Sequence, residues 1–322
     1  MAFLKKSMFS LVLLLFSSFT FSQDSYPNSV ISLVTWAPGG FSDINSRLLA
    51  ESWQKILNQP IIVINKGGLG GAIGSAQVAN AKPDGYSILL ALSSVVIAPE
   101  AERLSGKKPI YELEQLDPLA LISSMPMVML VSADSPWNNL GEFVKYAKEN
   151  PGKVFYSSSG TYGPVHLAME MFAFQAGIQL TTVPFGGGAP ALMALLSNQV
   201  QMTLIDPRVA IPHITSGKLK ALGVSSNKRL PTLPDVPTYK EFGYDAEYYL
   251  WAGLYLPKGT PKNVTDKLRT SLKEAISSPG FIKGMQSNQI LIDYRDTPEF
   301  KKYSDDDGQR MTKLIKAIGP IK

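Results

Sequence analysis

Val30–Ile44 reads VISLVTWAPGGFSDI, and Leu180–Leu196 reads LTTVPFGGGAPALMALL. Each is an extended apolar run, a glycine loop and the opening of a helix. In the first, strand Val30–Thr35 meets Pro38-Gly39-Gly40, and a helix is expected near Ser42-Asp43 with Ser42 as its N-cap. In the second, strand Leu180–Val183 meets the loop Phe185–Gly188, and a helix is expected from Ala189-Pro190. A helix start leaves backbone N–H groups without intrahelical partners and carries about half a positive charge. Glycines let a ligand approach that backbone closely, so each copy is a candidate seat for an anion. Two seats suggest one acidic ligand held between two lobes. Glycine turns also join strands to helices with no ligand involved, so the pattern alone does not decide function.

Outward from these loops the chain alternates strand and helix, which predicts α/β architecture with mostly parallel sheets. The first helix carries Ile44, Leu48, Leu49, Trp53, Ile56 and Leu57 at spacings of three and four, one core stripe. Strand Ile61–Ile64, the glycine-rich NKGGLGGAIG, a helix through Ala81 and strand Ser87–Leu92 follow. Pro126 interrupts the apolar stretch Leu119–Ser132; a central strand does not tolerate proline, so the first crossing between lobes is placed there. The second lobe reads as helix Leu140–Glu149, strand Val154–Ser157, helix Val165–Ala176 stopped by Gly177, and strands Val200–Ile205 and Leu219–Val224. NKRLPTLPDVPTYKEFGY, rich in proline, reads as a surface connection, and Tyr248–Leu256 as the return to the first lobe. Two closing helices are introduced by Thr260-Pro261 and Thr297-Pro298-Glu299, each with Thr as N-cap and Pro at the first helical position.

The amino terminus, MAFLKKSMFSLVLLLFSSFTFSQ, has a basic start, a short apolar run and small residues after it. That is the layout of a secretory signal peptide cleaved near Ser22, too short for a stable membrane anchor. The expected division is residues 1–22 as signal peptide, 23–125 with 250–322 as lobe 1, and 126–249 as lobe 2. There is no Cys, so disulfides, thiolate metal sites and lipidation at an N-terminal Cys are excluded. Without the first 22 residues Lys+Arg falls from 31 to 29 against 26 acids, a net charge of +3. So mild an excess, with no basic run interleaved with aromatics, gives no support to nucleic-acid binding. About 300 mature residues exceed the usual size of one core, which again predicts two lobes.

The stretches APGGFSDINSRLLAE, NKGGLGGAIGSAQVANAKPDGYSILL, YSSSGTYGPVHLAMEMFAFQAG, VPFGGGAPALMALLSNQVQM and ITSGKLKALGVSSNKRLPTLPDVPTYKEFG carry a family resemblance. Together they span most of the mature chain. The sequence resembles the extracytoplasmic solute receptors of the tripartite tricarboxylate transporter group, the Bug proteins. The resemblance implies a type II periplasmic-binding-protein fold, with two α/β lobes, two crossings and a ligand in the cleft. It also implies a monomeric periplasmic protein, with no cofactor, that hands a small carboxylate to membrane permease subunits. Such receptors often hold the carboxylate through backbone N–H groups and ordered waters rather than an Arg clamp. The matching positions are Pro38, Gly39, Gly40, Phe41, Ser42, Asp43, Ser93, Ser94, Ser157, Ser158, Ser159, Gly160, Thr161, Phe185, Gly186, Gly187, Gly188 and Asp206. Three positions depart from the family pattern: Phe41 stands where many relatives have another glycine, Phe185-Gly186 where Tyr and then Lys are frequent, so that a hydroxyl and a charge are missing, and Trp36 where a smaller residue is usual. Their rings would give the cleft apolar walls, and an aromatic or otherwise bulky carboxylate is expected; packing inside the lobe cores is the other reading.

Other polar residues carry two readings each. Ser157, Ser158, Ser159 and Thr161 suit an oxyanion or the capping of the next helix. Asp206 either accepts a hydrogen bond from a ligand hydroxyl or amine, or caps the helix at Pro207. Asp43 reads as a first-turn stabiliser and Arg47 as its structural ion-pair partner. His166 and His213 have no convergent ligands at metal spacing, so no metal is expected. NKGGLGGAIG lacks the Gly-Lys-Ser/Thr of a phosphate loop and reads as a tight turn with close packing. A hydrolase built on Ser159 and His166 is a weaker alternative, since no G-x-S-x-G elbow is present. A ligand sensor presenting the closed form to a sensor kinase is another.

Overall fold

A computed structural model describes residues 26–319, so the expected signal peptide lies outside the described residues. The chain begins with β1 (Ile31–Thr35), α1 (Phe41–Leu57), β2 (Ile61–Asn65), α2 (Ala72–Ala79), β3 (Ser87–Leu92), α3 (Ala98–Leu104) and β4 (Leu116–Pro126). It continues through β5 (Val128–Ser132), α4 (Leu140–Glu149), β6 (Phe155–Ser158), α5 (Pro164–Ala176) and β7 (Thr181–Pro184). Next come α6 (Gly188–Leu196), β8 (Met202–Ile205), α7 (Pro207–Thr215) and β9 (Leu219–Val224). It closes with β10 (Tyr249–Pro257), α8 (Lys262–Ile276), α9 (Pro279–Ser287), β11 (Ile292–Arg295) and α10 (Thr297–Ile318).

Two sheets result, ordered β11-β4-β10-β3-β1-β2 and β7-β6-β8-β5-β9. The chain leaves the first sheet at Pro126, enters the second at Val128, and returns with β10. Both sheets are mixed, which corrects the expectation of mostly parallel pairing. β1, β2 and β3 run parallel, as do β6, β7 and β8, but β5 is antiparallel to β8 and β9, and β10 to β3 and β4. The reason is geometric. The strands that open into glycine loops end at the cleft, so a strand arriving from the other lobe starts there and runs the opposite way. Ligands of open α/β sheets sit outside the carboxyl ends of such strands.

The core stripe of α1 forms as read: Leu49, Trp53 and Leu57 are buried, and Ile44, Leu48 and Ile56 pack against the same core. Trp53 Nε1 donates to Ser271 Oγ at 2.8 Å, joining α1 to α8. Several local expectations change. The N-cap of α1 is Gly40, not Ser42, which is buried at the second helical position. Pro261 rather than Thr260 precedes α8, and Asp296, not Thr297, caps α10 by accepting the Thr297 N–H. Three helices, not two, follow the return; α9 is capped by the Ser278 side chain on the Phe281 N–H. The proline-rich connection is not wholly superficial either, because Tyr239 is fully buried against Phe172, with ring centroids 4.8 Å apart.

Candidate functional site

The two glycine loops face each other. A cavity of about 280 Å³ lies between the lobes, with Trp36, Phe41, Phe185 and Gly187 among its walls. At its rim the lobes touch: a methyl placed on Gly187 would stand 3.2 Å from the Ala37 side chain. One on Gly70 would meet the Gly163 nitrogen at 2.6 Å and the Thr161 carbonyl at 2.7 Å. The hydroxyls of Ser105 and Tyr162 also meet across the lobes. Residues Gly67–Gly71 therefore belong to the cavity wall as well as to a tight turn. Gly71 needs its glycine, because φ is +102° and Trp36 lies under it; a methyl there would fall 2.0 Å from the indole.

Helix starts supply the polar character. α1, α5 and α6 begin after Gly40, Gly163 and Gly187, and no side chain caps them. The first N–H groups of α1 and α6 are therefore left to a ligand or water, whereas α5 opens on Pro164, which has none to offer. Asp43 does not compete with an anion in the cavity. Its carboxylate accepts the Gly39 N–H at 2.9 Å, the Asn65 amide at 2.8 Å and Arg47 Nε at 3.1 Å, holding the Pro-Gly-Gly turn in place. Burial pushes its pKa up, but the bonds from Arg47, Gly39 and Asn65 outweigh that and hold it below the ordinary value.

Of the residues singled out from the sequence, Trp36, Gly39, Gly40, Phe41, Ser42, Ser159, Gly160, Phe185, Gly186, Gly187 and Asp206 line the cavity. Pro38 is exposed beside it, and Thr161 lies at the lobe contact. Ser93, Ser94 and Ser158 are buried behind the wall. Ser93 shares a 2.8 Å hydrogen bond with the Tyr248 hydroxyl, Ser94 donates to the Gly70 carbonyl, and Ser158 accepts from Thr182. Trp36, Phe41 and Phe185 line the cavity with Leu92, Met127, Leu192 and Leu250, while Trp36 and Phe41 are also buried in the core, so both readings of these rings apply.

Of the two readings for Asp206, the structure has the cap of α7, with the side chain accepting the Val209 N–H at 3.3 Å, and it also places the residue in the cavity wall. Burial raises its pKa, partly countered by Arg208. Arg208 is a charged cavity residue that the sequence reading did not single out. It lines the cavity, its Nε lies 2.8 Å from Asp206 Oδ1, and its guanidinium stands 5.6 Å from the Phe41 ring centroid of the other lobe. Nothing local marks an Arg after Asp-Pro as a cavity residue. His166 is no partner for Ser159: its Nδ1 accepts the Tyr162 N–H at 3.0 Å and its Nε2 has no hydrogen-bond partner.

Comparison with known proteins agrees with this architecture. A family model described as "Tripartite tricarboxylate transporter family receptor" matches residues 45–320. A UPF0065 protein of Bordetella pertussis is 32% identical over 311 residues, 96% of this chain and 95% of that one. The periplasmic binding protein BugD superposes with a TM-score of 0.81 at 36% identity, covering 91% of this chain and 98% of that one. MatC from Rhodopseudomonas palustris, solved with bound malate, gives a TM-score of 0.82 at 26% identity, over 90% of this chain and 100% of that one. The hydrolase alternative falls with these matches: the chain belongs to the tripartite tricarboxylate transporter receptor family and is an extracytoplasmic solute-binding protein, not an enzyme.

Proposed function

We propose that this receptor captures a small carboxylate with a ring-sized apolar body and delivers it to the membrane subunits of a tripartite carboxylate transporter. The observation that carries the reading is the pairing of uncapped helix starts, α1 and α6, with walls of Trp36, Phe41 and Phe185 around one cavity. Malate in MatC supports the carboxylate class. The volume of about 280 Å³ lies near the lower end of the roughly 300–1,000 Å³ usual for small-molecule sites, which suits a small acid. Hydrogen bonds to a charged group contribute ~1.5–3 kcal/mol each, so three or four support micromolar binding, about −8 kcal/mol, after ordering losses.

The lobes divide near residues 126 and 249, where the chain crosses, and these crossings act as the hinge for closure on the ligand. Closure is favoured only by the ligand's higher affinity for the closed form. Export with removal of residues 1–22 and function as a monomer belong to the same proposal. Titration calorimetry with benzoate, 4-hydroxybenzoate, phenylacetate, malate and citrate tests it. An aromatic acid should bind most tightly; selective binding of malate or citrate rejects the apolar-body half, and no binding by any acid rejects the whole.

A further inference from the structure

We infer that Arg208 is the side chain that receives the ligand carboxylate, in competition with the neighbouring acid of Asp206. The inference rests on the carboxylate reading above. Among the described residues lining the cavity, Asp206 and Arg208 carry the only formal charges. An entering anion therefore meets a single cation. The Arg208 side chain is 10% exposed, so water screens it little.

Its tie to Asp206 is one of charge rather than direction. Nε lies 2.8 Å from Oδ1, yet the N–H is not aimed along that contact and finds no hydrogen-bond partner. Oδ1 accepts the Val209 backbone N–H instead. A guanidinium favours a planar partner with two oxygens, and a bound carboxylate supplies one. The acid of Asp206 thus lies beside the cation without giving its Nε–H a directed bond. Arg208 also stands over the Phe41 ring, across the cleft from its own lobe. Cation and ring attract at that distance. Engagement of Arg208 by a ligand accordingly occurs where the two lobes meet, which couples capture to closure.

This arrangement predicts opposite signs at neighbouring positions. A carboxylate that takes Arg208 must sit beside Asp206, so Asp206 opposes its binding while Arg208 favours it. A purely structural pair would respond alike to loss of either member. The test compares benzoate with benzamide and phenylacetate with phenylacetamide on the full mature protein. Arg208→Gln should weaken the acids about 10- to 100-fold and leave the amides near their original affinity, collapsing the acid-over-amide preference. Asp206→Asn should tighten the acids several-fold. The double variant Asp206→Asn/Arg208→Gln, which leaves no lone buried charge, should keep the weak acid binding of Arg208→Gln while folding normally. An acid-over-amide ratio unchanged in Arg208→Gln and in the double variant, or weaker acid binding in Asp206→Asn, overturns the assignment. Wild-type protein that binds none of the acids sinks the carboxylate reading and this assignment together; acid binding indifferent to Arg208 sinks the assignment alone.

Discussion

Gly71→Ala is a sharp test of how the cavity floor is built. Gly71 has φ of +102°, and a methyl there would lie 2.0 Å from Trp36 Cε2 and 2.3 Å from Cδ2. The indole is 6% exposed, and the space open to it is the cavity it lines. Two penalties add. The left-handed backbone costs an L-residue ~1–2 kcal/mol, and overpacking a closed site costs ~1–3 kcal/mol. The sum, about 2–5 kcal/mol, should lower Tm by about 4–10 °C at roughly 2 °C per kcal/mol for a chain of this size. Gly106→Ala separates the penalties, because Gly106 has φ of +73° with nothing within 4 Å of the added methyl. It should show the backbone cost alone, and it should leave benzoate affinity unchanged. Gly71→Ala should also weaken binding, because Trp36 must leave the cavity wall. Scanning calorimetry and titration on both variants decide the matter. Equal Tm losses, with binding intact in both, would refute the claim that Gly71 exists to seat the indole.

Two further outcomes follow from buried polar groups. His166 is fully buried, and burial lowers its pKa from 6.5 to about 4. The unfolded chain therefore takes up a proton near pH 6.5 that the folded protein refuses until about pH 4. Stability from this group is complete above pH 6.5 and is lost as pH falls towards 4, by about 3 kcal/mol at ~1.36 kcal/mol per unit. His166→Gln should flatten the urea-midpoint profile by that amount between pH 7 and 4; a slope identical to wild type contradicts it. Ser271→Ala removes the acceptor of the buried Trp53 N–H and should cost ~1–3 kcal/mol in urea unfolding, with ligand affinity unaltered. A loss below 0.5 kcal/mol, on the order of a surface change, would show that the bond does not hold α1 to α8.

Much of the fold was legible because its signals are local. Leu140–Glu149, Ser87–Leu92 and Leu219–Val224 form with the bounds read from periodicity and turn residues, and Pro126 does end a strand. Helix α9 was legible too and was overlooked, since Ser278-Pro279 carries the same cap-and-proline signal as its neighbours. β11 has four residues, too few for a period to show. Strand direction was not legible at all. An apolar run looks the same whichever way it enters a sheet, so the reversal of β5 and β10 appears only once the crossings are in place.

The sequence by itself determined the recurring strand, glycine loop and helix, the ring-bearing residues at the first loops, and the family to which the chain belongs. The local elements are legible because caps, turns and periodic faces are set by near neighbours, and the family because the quoted stretches resemble its members. Tertiary structure decided which polar groups reach the ligand space. It gave Ser93 to Tyr248 and Ser94 to Gly70, withdrew Ser158 behind the wall, and brought Arg208 from one lobe over Phe41 of the other. A hydroxyl or guanidinium bonds whatever packing places within about 3 Å, and no local pattern records that distance.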